Sequence, residues 1–508
     1  MRNRLAVLLA CALPLSLASA PAVAAPPAVA LTSVIPAPVA VNPHGPGFRL
    51  TGRTVIEAPR SARPVADRLA EAVREATGYR LAVVGHAPRH AAAIRLAPGR
   101  TGGEGYELSV GRDGVSIRSG GNAGLFNGVQ TLRQLLPLRA PYAIAGGEIV
   151  DKPRFAYRGV HLDLARHFHT PDEVKRYIDE ISQFKVNYLH LHLSDDQGWR
   201  IQIDSWPRLT TVGGAAGTGV DGVGGGYLTK AQYRDLVRYA ASRHVTIVPE
   251  IDMPGHVNAA QVAYPELTCD GVAPPPRTDT AVGYSSLCIG KEITYRFVED
   301  VIRELAAMTP GPLIHIGGDE AHATPQADYI AFQERVLPLV KKYGKTAYGW
   351  NEITQAPASH TAIAQYWDTS TTNPTVAAAV AAGTKVIMSP ANRTYLDMKY
   401  DPSTRLGLSW AGYIEVRTAY DWDPGTHVTG VPESAVLGIE APLWSETLRS
   451  IEDIEFMAFP RLAAVAELGW SPTRDWESFR TRLGAYGPRW TARGVDFYPS
   501  PQIPWTTG

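Results

Sequence analysis

From residue 151 onward the chain alternates between two textures. Short apolar runs that end in polar residues recur eight times: "GVHLD" (159–163), "VNYLHLHL" (186–193), "VTIVPEI" (245–251), "LIHIGGDE" (313–320), "TAYGWNE" (346–352), "AIAQYWD" (362–368), "KVIMSP" (385–390) and "VLGIEAPLW" (436–444). Between most of them, apolar residues return at three- and four-residue spacing. One helix is clearly signed, because Thr170-Pro171-Asp172-Glu173 is a capping box with proline at the first helical position. Val174, Tyr177, Ile178, Ile181 and Phe184 then form its apolar face. Thr229 and Gln232 repeat the device before "YRDLVRYAA". Strands apolar on both faces, alternating with amphipathic helices, predict a parallel sheet covered by helices. Eight such units predict an α/β chain whose larger part, 151–508, is a (β/α)8 TIM barrel.

The pattern over 31–150 is different. Val65, Leu69 and Val73 repeat at helical spacing and Gly78 stands where a helix would end. "YELSV-GRDG-VSIRS" (106–119) alternates on both sides of a turn and predicts a hairpin. "NAGLFNGVQTLRQLLP" (122–137) returns to helical period and stops at a proline. This segment reads as a small α+β domain with no catalytic constellation and no cluster of exposed aromatics, which gives it a packing role.

The first 25 residues add a compartment. Arg2 and Arg4 precede an apolar stretch to about Leu17, with small-residue sites near Ala20 and Ala24, as in a secretory signal peptide. Leu8-Leu9-Ala10-Cys11 loosely fits a lipid-attachment site, but the apolar run continues past Cys11, which favours simple export. No later stretch approaches the ~18 apolar residues of a membrane helix. After cleavage Cys269 and Cys288 remain, and in an oxidising compartment they predict one disulfide, worth on the order of 3 kcal/mol by loop closure. The 49 basic and 49 acidic residues balance, and no basic block stands out. Nucleic acid and anionic membrane are therefore poor partners, and no obligate protein partner is evident.

Active sites of such barrels form at the carboxyl ends of the strands. Those ends carry Asp163 with Arg166, Asp195 and Asp196, Glu250 with Asp252 and His256, Asp319-Glu320, Trp350 with Glu352, Trp367, and Trp444 with Glu446. Carboxylates ringed by tryptophan suit sugars, whose C–H faces stack on aromatic rings and whose hydroxyls need charged partners. Ordinary glycoside hydrolysis places two carboxylates about 5–9.5 Å apart across the scissile bond. Asp319 and Glu320 are neighbours, and side chains adjacent on an extended backbone point to opposite faces. They fit a different division of labour, in which one is the acid and the other orients a 2-acetamido group that attacks the anomeric carbon itself.

At this point the chain resembles the β-N-acetylhexosaminidases of glycoside hydrolase family 20, particularly secreted actinobacterial members, over nearly its whole mature length. The resemblance rests on "GVHLDLARHF" (159–168), "HLHLSDDQGWRIQIDSWP" (190–207), "PEIDMPGH" (249–256), "HIGGDE" (315–320), "YLD" (395–397) and "LWSE" (443–446). It implies that Glu320 is the general acid/base, Asp319 holds the acetamido nitrogen, and Tyr395 hydrogen-bonds the acetamido oxygen. It further implies an aromatic box of Trp350, Trp367 and Trp444, with Arg166, Glu446 and Asp397 gripping the terminal sugar. Asp195 and His256 would stand behind the acid and tune its proton, and Trp410 would be a platform for the leaving sugar. No cofactor and no metal are implied. The substrates would be chitooligosaccharides or glycans ending in N-acetylglucosamine or N-acetylgalactosamine, removed one at a time. A relative that releases disaccharides is the alternative enzyme, against which the full Arg166, Asp397 and Glu446 set argues. A sugar-binding protein without catalysis is hard to reconcile with an intact Asp319, Glu320 and Tyr395.

Several features also have plainer readings. Each tryptophan alone would be core packing, and Arg166 with Glu446 an ordinary ion pair. His190 and His192 share one strand face, as in metal-dependent barrel hydrolases. That chemistry wants the pair on the first strand, with a lysine and further histidines later, so the two histidines are read as hydrogen-bonded within the barrel. "GGAAGTGVDGVGGG" (213–226) lacks the strand-to-helix setting and lysine of a phosphate loop and reads as a flexible loop.

Overall fold

The computed structural model describes residues 28–223 and 225–506. The leader expected over 1–25 lies outside the described residues. Eight parallel strands close into a barrel: Tyr157–Asp163, Tyr188–His192, Thr246–Glu250, Leu313–His315, Thr346–Trp350, Ile363–Tyr366, Lys385–Met388 and Val436–Ala441. The last pairs with the first, Gly159 lying beside Glu440. All eight predicted strands are present, and the fourth is the one most shortened, ending at His315 rather than running to Glu320. Both capping boxes form: Thr170 with Glu173 opens the helix Pro171–Ile181, and Thr229 with Gln232 opens Lys230–Ala241.

The preceding domain is a seven-stranded mixed sheet carrying the helices Arg63–Thr77 and Asn122–Leu135. Gly78 ends the first helix at φ 75°, a left-handed conformation in which glycine carries no Cβ penalty. The predicted hairpin pairs Tyr106–Gly111 with Gly114–Ser119. This domain has its own apolar core, into which Trp470 of the barrel inserts while its indole N–H donates to Asp151 Oδ1 at 2.9 Å. Arg482 ties the barrel to the same domain by donating to the carbonyl of Val34 at 2.8 Å. Among the described residues, no helix is long and apolar enough to cross a membrane.

The barrel interior is unusual in its filling. Tyr157, Val248, Leu313, Tyr348, Ile363 and Ile387 form an apolar plug. Beside it the inward positions are His161, His190, His192, Glu250, His315, Gln365 and Glu440, all buried, where branched apolar residues are the norm. His190 and His192 do hydrogen-bond within the barrel, to Glu440 at 2.9 Å and to Glu250 at 2.5 Å.

Candidate active site

The fourth strand gives way early to a pair of glycines. Gly317 sits at φ 66°, and a Cβ there would lie 1.7 Å from Asp252 Oδ1, so only glycine fits. Gly318, at φ 104°, donates its N–H to Asp252 Oδ1 at 2.9 Å. Glu320 and His256 are themselves left-handed, at φ 46° and 55°, a strained state that surrounding structure must hold in place. The turn cancels the opposite pointing that an extended backbone would impose on neighbours. Asp319 Oδ2 and Glu320 Oε2 both reach His256 Nε2, at 3.7 and 3.6 Å.

Behind His256 the contacts continue into the protein. Its Nδ1 lies 3.1 Å from Asp195 Oδ1, and Asp195 Oδ2 meets His192 Nε2 at 2.8 Å and the Arg166 guanidinium at 2.9 Å. Burial opposes the charge on His256, but Asp195 and Asp319 outweigh it and hold the imidazole proton up to about 10. Burial likewise opposes charge on Asp195, yet Arg166 and His256 keep its carboxyl well below the usual range. Asp319 behaves in the opposite way. Burial and the neighbouring Asp252 push the Asp319 carboxyl well up, and burial with the charge of Glu250 does the same to Asp252.

The opposite wall of the mouth is aromatic. Trp350 and Trp444 lie 5.7 Å apart between ring centres, Tyr395 and Trp410 5.7 Å edge to face, and Trp367 and Trp410 6.1 Å. Trp350 is completely buried as the floor, whereas Trp410 is 54 % exposed at the rim. The Arg166 guanidinium stacks over Trp444 at 4.9 Å. Burial raises Asp397 well above the carboxylate range, with Glu446 as the next cause. Glu446 itself is pushed up to about 6 by burial, partly offset by Arg166.

The sequence-predicted residues therefore gather at one mouth. Glu320, Asp319, His256, Asp195 and Arg166 form one connected side, and Tyr395, Trp350, Trp367, Trp410 and Trp444 the other. Asp397, whose Oδ1 accepts the Trp444 backbone N–H at 3.4 Å, stands at the aromatic side near Glu446. The glycine-rich segment is not the free loop expected. Gly219 and Val220 donate to the carbonyls of Gln197 and Arg166, both at 2.8 Å, and Asp221 to that of Thr278 at 2.8 Å. Residues 219–221 form a pinned wall beside Arg166. The Cys269–Cys288 disulfide is formed. Within the segment it closes, Ser285 donates to Asp196 Oδ1 at 2.6 Å.

Three contributors were given no role by sequence reasoning, Asp252 and Glu352 being noted only as strand-end residues. Asp252 was noted at a strand end without a role, although Gly-Gly opposite a carboxylate is a signal of close approach. Glu352, pushed up to about 7 chiefly by burial, accepts the Trp367 indole N–H at 3.0 Å. Arg461 gave no signal at all. Buried in a helix after the last strand, it donates to the carbonyls of Leu396, Met398 and Ile414 and so braces the segment bearing Tyr395, Asp397 and Trp410.

Groups such as His161, His190 and Glu250, or Asp252, His256 and Asp319, bring ligand-type atoms within 4.8 Å of one another. In the first, carboxylate oxygens already face the imidazole nitrogens, with Glu250 Oε2 3.1 Å from His190 Nε2. The donor set reads as a self-paired network of imidazoles and carboxylates.

Residues 155–473 match the model of the glycosyl hydrolase family 20 catalytic domain, and residues 31–152 that of domain 2 of the same family. A beta-N-acetylhexosaminidase of Cellulomonas fimi is 41 % identical over 484 residues, which span 93 % of this chain and 97 % of the relative. The structure of a beta-N-acetylhexosaminidase from Streptomyces coelicolor A3(2) superposes with a TM-score of 0.92 at 55 % identity, covering 94 % of this chain and all of that one. A mutant beta-hexosaminidase of Streptomyces plicatus, solved with its product GlcNAc, gives 0.92 at 56 % identity, covering 95 % and 99 % of the two chains.

Proposed function

The chain belongs to glycosyl hydrolase family 20, and from that membership and the geometry of its mouth we propose that it is an exo-acting β-N-acetylhexosaminidase using the acetamido group of its substrate as the nucleophile. The observation that carries the reading is the meeting of Asp319 and Glu320 at one imidazole nitrogen. Two carboxylates gathered on one side of a pocket do not bracket a bond as an acid and an opposing nucleophile do.

In this scheme Arg166, Asp397 and Glu446 grip the hydroxyls of the terminal sugar, and the tryptophans enclose its ring and acetamido methyl. The acetamido oxygen attacks the anomeric carbon while Glu320 gives its proton to the departing oxygen. Asp319 accepts the acetamido N–H and offsets the positive charge of the cyclic oxazolinium intermediate, and Tyr395 donates to the oxygen that attacks. Water then enters, Glu320 takes its proton, and the sugar leaves with its configuration retained.

The substrates are chitooligosaccharides or glycans with terminal N-acetylglucosamine or N-acetylgalactosamine, and the protein is exported after loss of its leader. The arginine-led start of the sequence and the oxidised cysteine pair support export. Incubation with chitobiose and with nitrophenyl glycosides of one sugar and of a disaccharide tests the reading. Release of N-acetylglucosamine from the first two is expected, and release of only an intact disaccharide would overturn the exo assignment.

A further inference from the structure

The polar filling of the barrel is used by no step of this scheme. Its centre is Glu250, fully buried at the end of the third barrel strand. Glu250 Oε2 lies 2.5 Å from His192 Nδ1, on the second strand, and 3.1 Å from His190 Nε2. Glu250 Oε1 lies 2.8 Å from His315 Nδ1, on the fourth strand, and accepts the Trp350 indole N–H, from the fifth, at 3.0 Å. His161 of the first strand stands 3.8 Å away, and the charge of Asp252, two residues beyond the strand end, also acts on Glu250. One carboxylate thus touches both the floor of the aromatic wall and the histidine that leads, through Asp195 and His256, to Glu320.

The charges along this path alternate. Burial opposes ionisation of Glu250, but His315, His192 and His190 hold it well below the carboxylate range. Burial also opposes charge on His192, and Glu250 and Asp195 raise its proton to about 10. His161 and His315 are both driven down by burial, against the pull of Glu250. Glu440 balances His190 on the far side, where Tyr157 and Gln365 also donate to it.

We propose that Glu250 is a positioning residue for the reaction, fixing the Trp350 indole with one oxygen and holding His192 as an imidazolium with the other, so that Asp195 and His256 stay aligned behind Glu320. The inference rests on the hexosaminidase function proposed for the site. In it, the wall that shapes the acetamido group and the chain that serves the acid share one anchor, and neither can shift without the other. A neutral His192 would leave Asp195 with one cationic partner fewer and release His256 from its fixed geometry.

The test is a set of pH–rate profiles on nitrophenyl N-acetylglucosaminide for the full-length native protein, Glu250→Gln and Glu440→Gln. Glu250→Gln is expected to lower kcat/KM about 10–100-fold, the range usual for a partner that orients a group at the reacting centre. Its alkaline limb should move to lower pH by about one unit or more, since His192 loses the anion that holds its proton. Glu440→Gln removes an equally buried carboxylate that touches neither His192 nor Trp350, so its profile should keep the native position. Trp350→Phe should raise KM without moving the limb. A native alkaline limb in Glu250→Gln, or an equal displacement in Glu440→Gln, would overturn the proposal. Should Glu250→Gln not fold, His192→Gln is expected to show the lowered rate, and native kinetics there would overturn it equally. Histidine-selective ¹⁵N NMR reads the same chain without turnover. His192 should lose its proton at lower pH in Glu250→Gln, and an unmoved titration contradicts the inference even if the native protein cleaves another glycoside.

Discussion

In the N-terminal domain the buried polar side chains are paired off. Tyr106 Oη meets Thr131 Oγ1 at 2.6 Å and donates to Asp151 at 2.7 Å, Asn127 donates to the carbonyl of Glu104 at 3.0 Å, and Gln134 bonds both the N–H and the carbonyl of Ile35. Among residues 28–152 no buried side-chain polar atom lacks a partner, whereas the barrel has many that do. At its mouth these include Asp252 Oδ2, His256 Nε2, Asp319 Oδ1 and Asp397 Oδ2. Burying such groups unpaired costs stability, and these four at the mouth stand where polar groups from outside can meet them. The N-terminal domain spends its polarity on its own fold and its junction with the barrel.

If that contrast is right, substitutions at the mouth should destroy activity and spare stability, and those in the N-terminal domain should do the reverse. The largest effect is expected for Glu320→Gln, which keeps shape but cannot donate a proton. It should slow chitobiose hydrolysis by about 10²–10⁴-fold. Calorimetric binding of N-acetylglucosamine should persist, and substrates with very good leaving groups should suffer less in their first step. Asp319→Asn comes next, at about 10²–10³-fold in kcat, because it removes preorganised charge from the developing oxazolinium. Its melting temperature should not fall, since relief of the crowded Asp252–Asp319 pair offsets the lost contact.

The fold was more legible than the site's wiring, for physical reasons. Repeating apolar runs and capping boxes such as Thr170–Glu173 depend on local sequence, and the eight strands came from them. Asp319, Glu320 and the tryptophans were legible as side chains no core needs at a strand end. The backbone reversal that brings Asp319 and Glu320 to one imidazole was not, because it depends on Asp252 filling the space beside Gly317. Glu250 and Arg461 act through partners far away in sequence, such as Trp350 and Leu396, and no spacing announces that. The glycine-rich wall misled for the same reason: its composition is that of a free loop, and what pins it lies at Arg166, Gln197 and Thr278.

A smaller effect sharpens the comparison through pH. Glu446 is pushed up to about 6, and in the proposed scheme it accepts sugar hydroxyls as the carboxylate, so kcat/KM should fall as pH drops through that value, while Glu446→Gln should lose that limb and show a raised KM. Stability should respond elsewhere. His256 is raised from 6.5 to about 10, so its contribution is fully present below about pH 6.5 and is lost as pH rises through 10. Asp195 is depressed, so its contribution is present above the ordinary carboxylate range and is lost on strong acidification. Melting curves across pH should show both edges, and Asp195→Asn should flatten the alkaline one.

The smallest effects on catalysis belong to the other region. Leu69→Ala, in the N-terminal core, should cost about 2–5 kcal/mol of stability yet leave kcat on chitobiose unchanged below the melting transition. Trp470→Phe, which breaks the bond to Asp151, should also lower the melting temperature without altering KM. Overnight dialysis against EDTA should leave the rate unchanged, and a loss restored by zinc would revive a metal role for His190 and His192.

The central claim is that the nucleophile belongs to the substrate. Its most direct test is kcat/KM for a series of nitrophenyl glucosaminides whose N-acetyl group carries zero, one, two or three fluorines. Ring, linkage and leaving group stay constant while the carbonyl oxygen becomes a poorer nucleophile. The account predicts a steep fall with each fluorine, and a flat series would show that some group of the protein, not the acetamido oxygen, attacks the sugar.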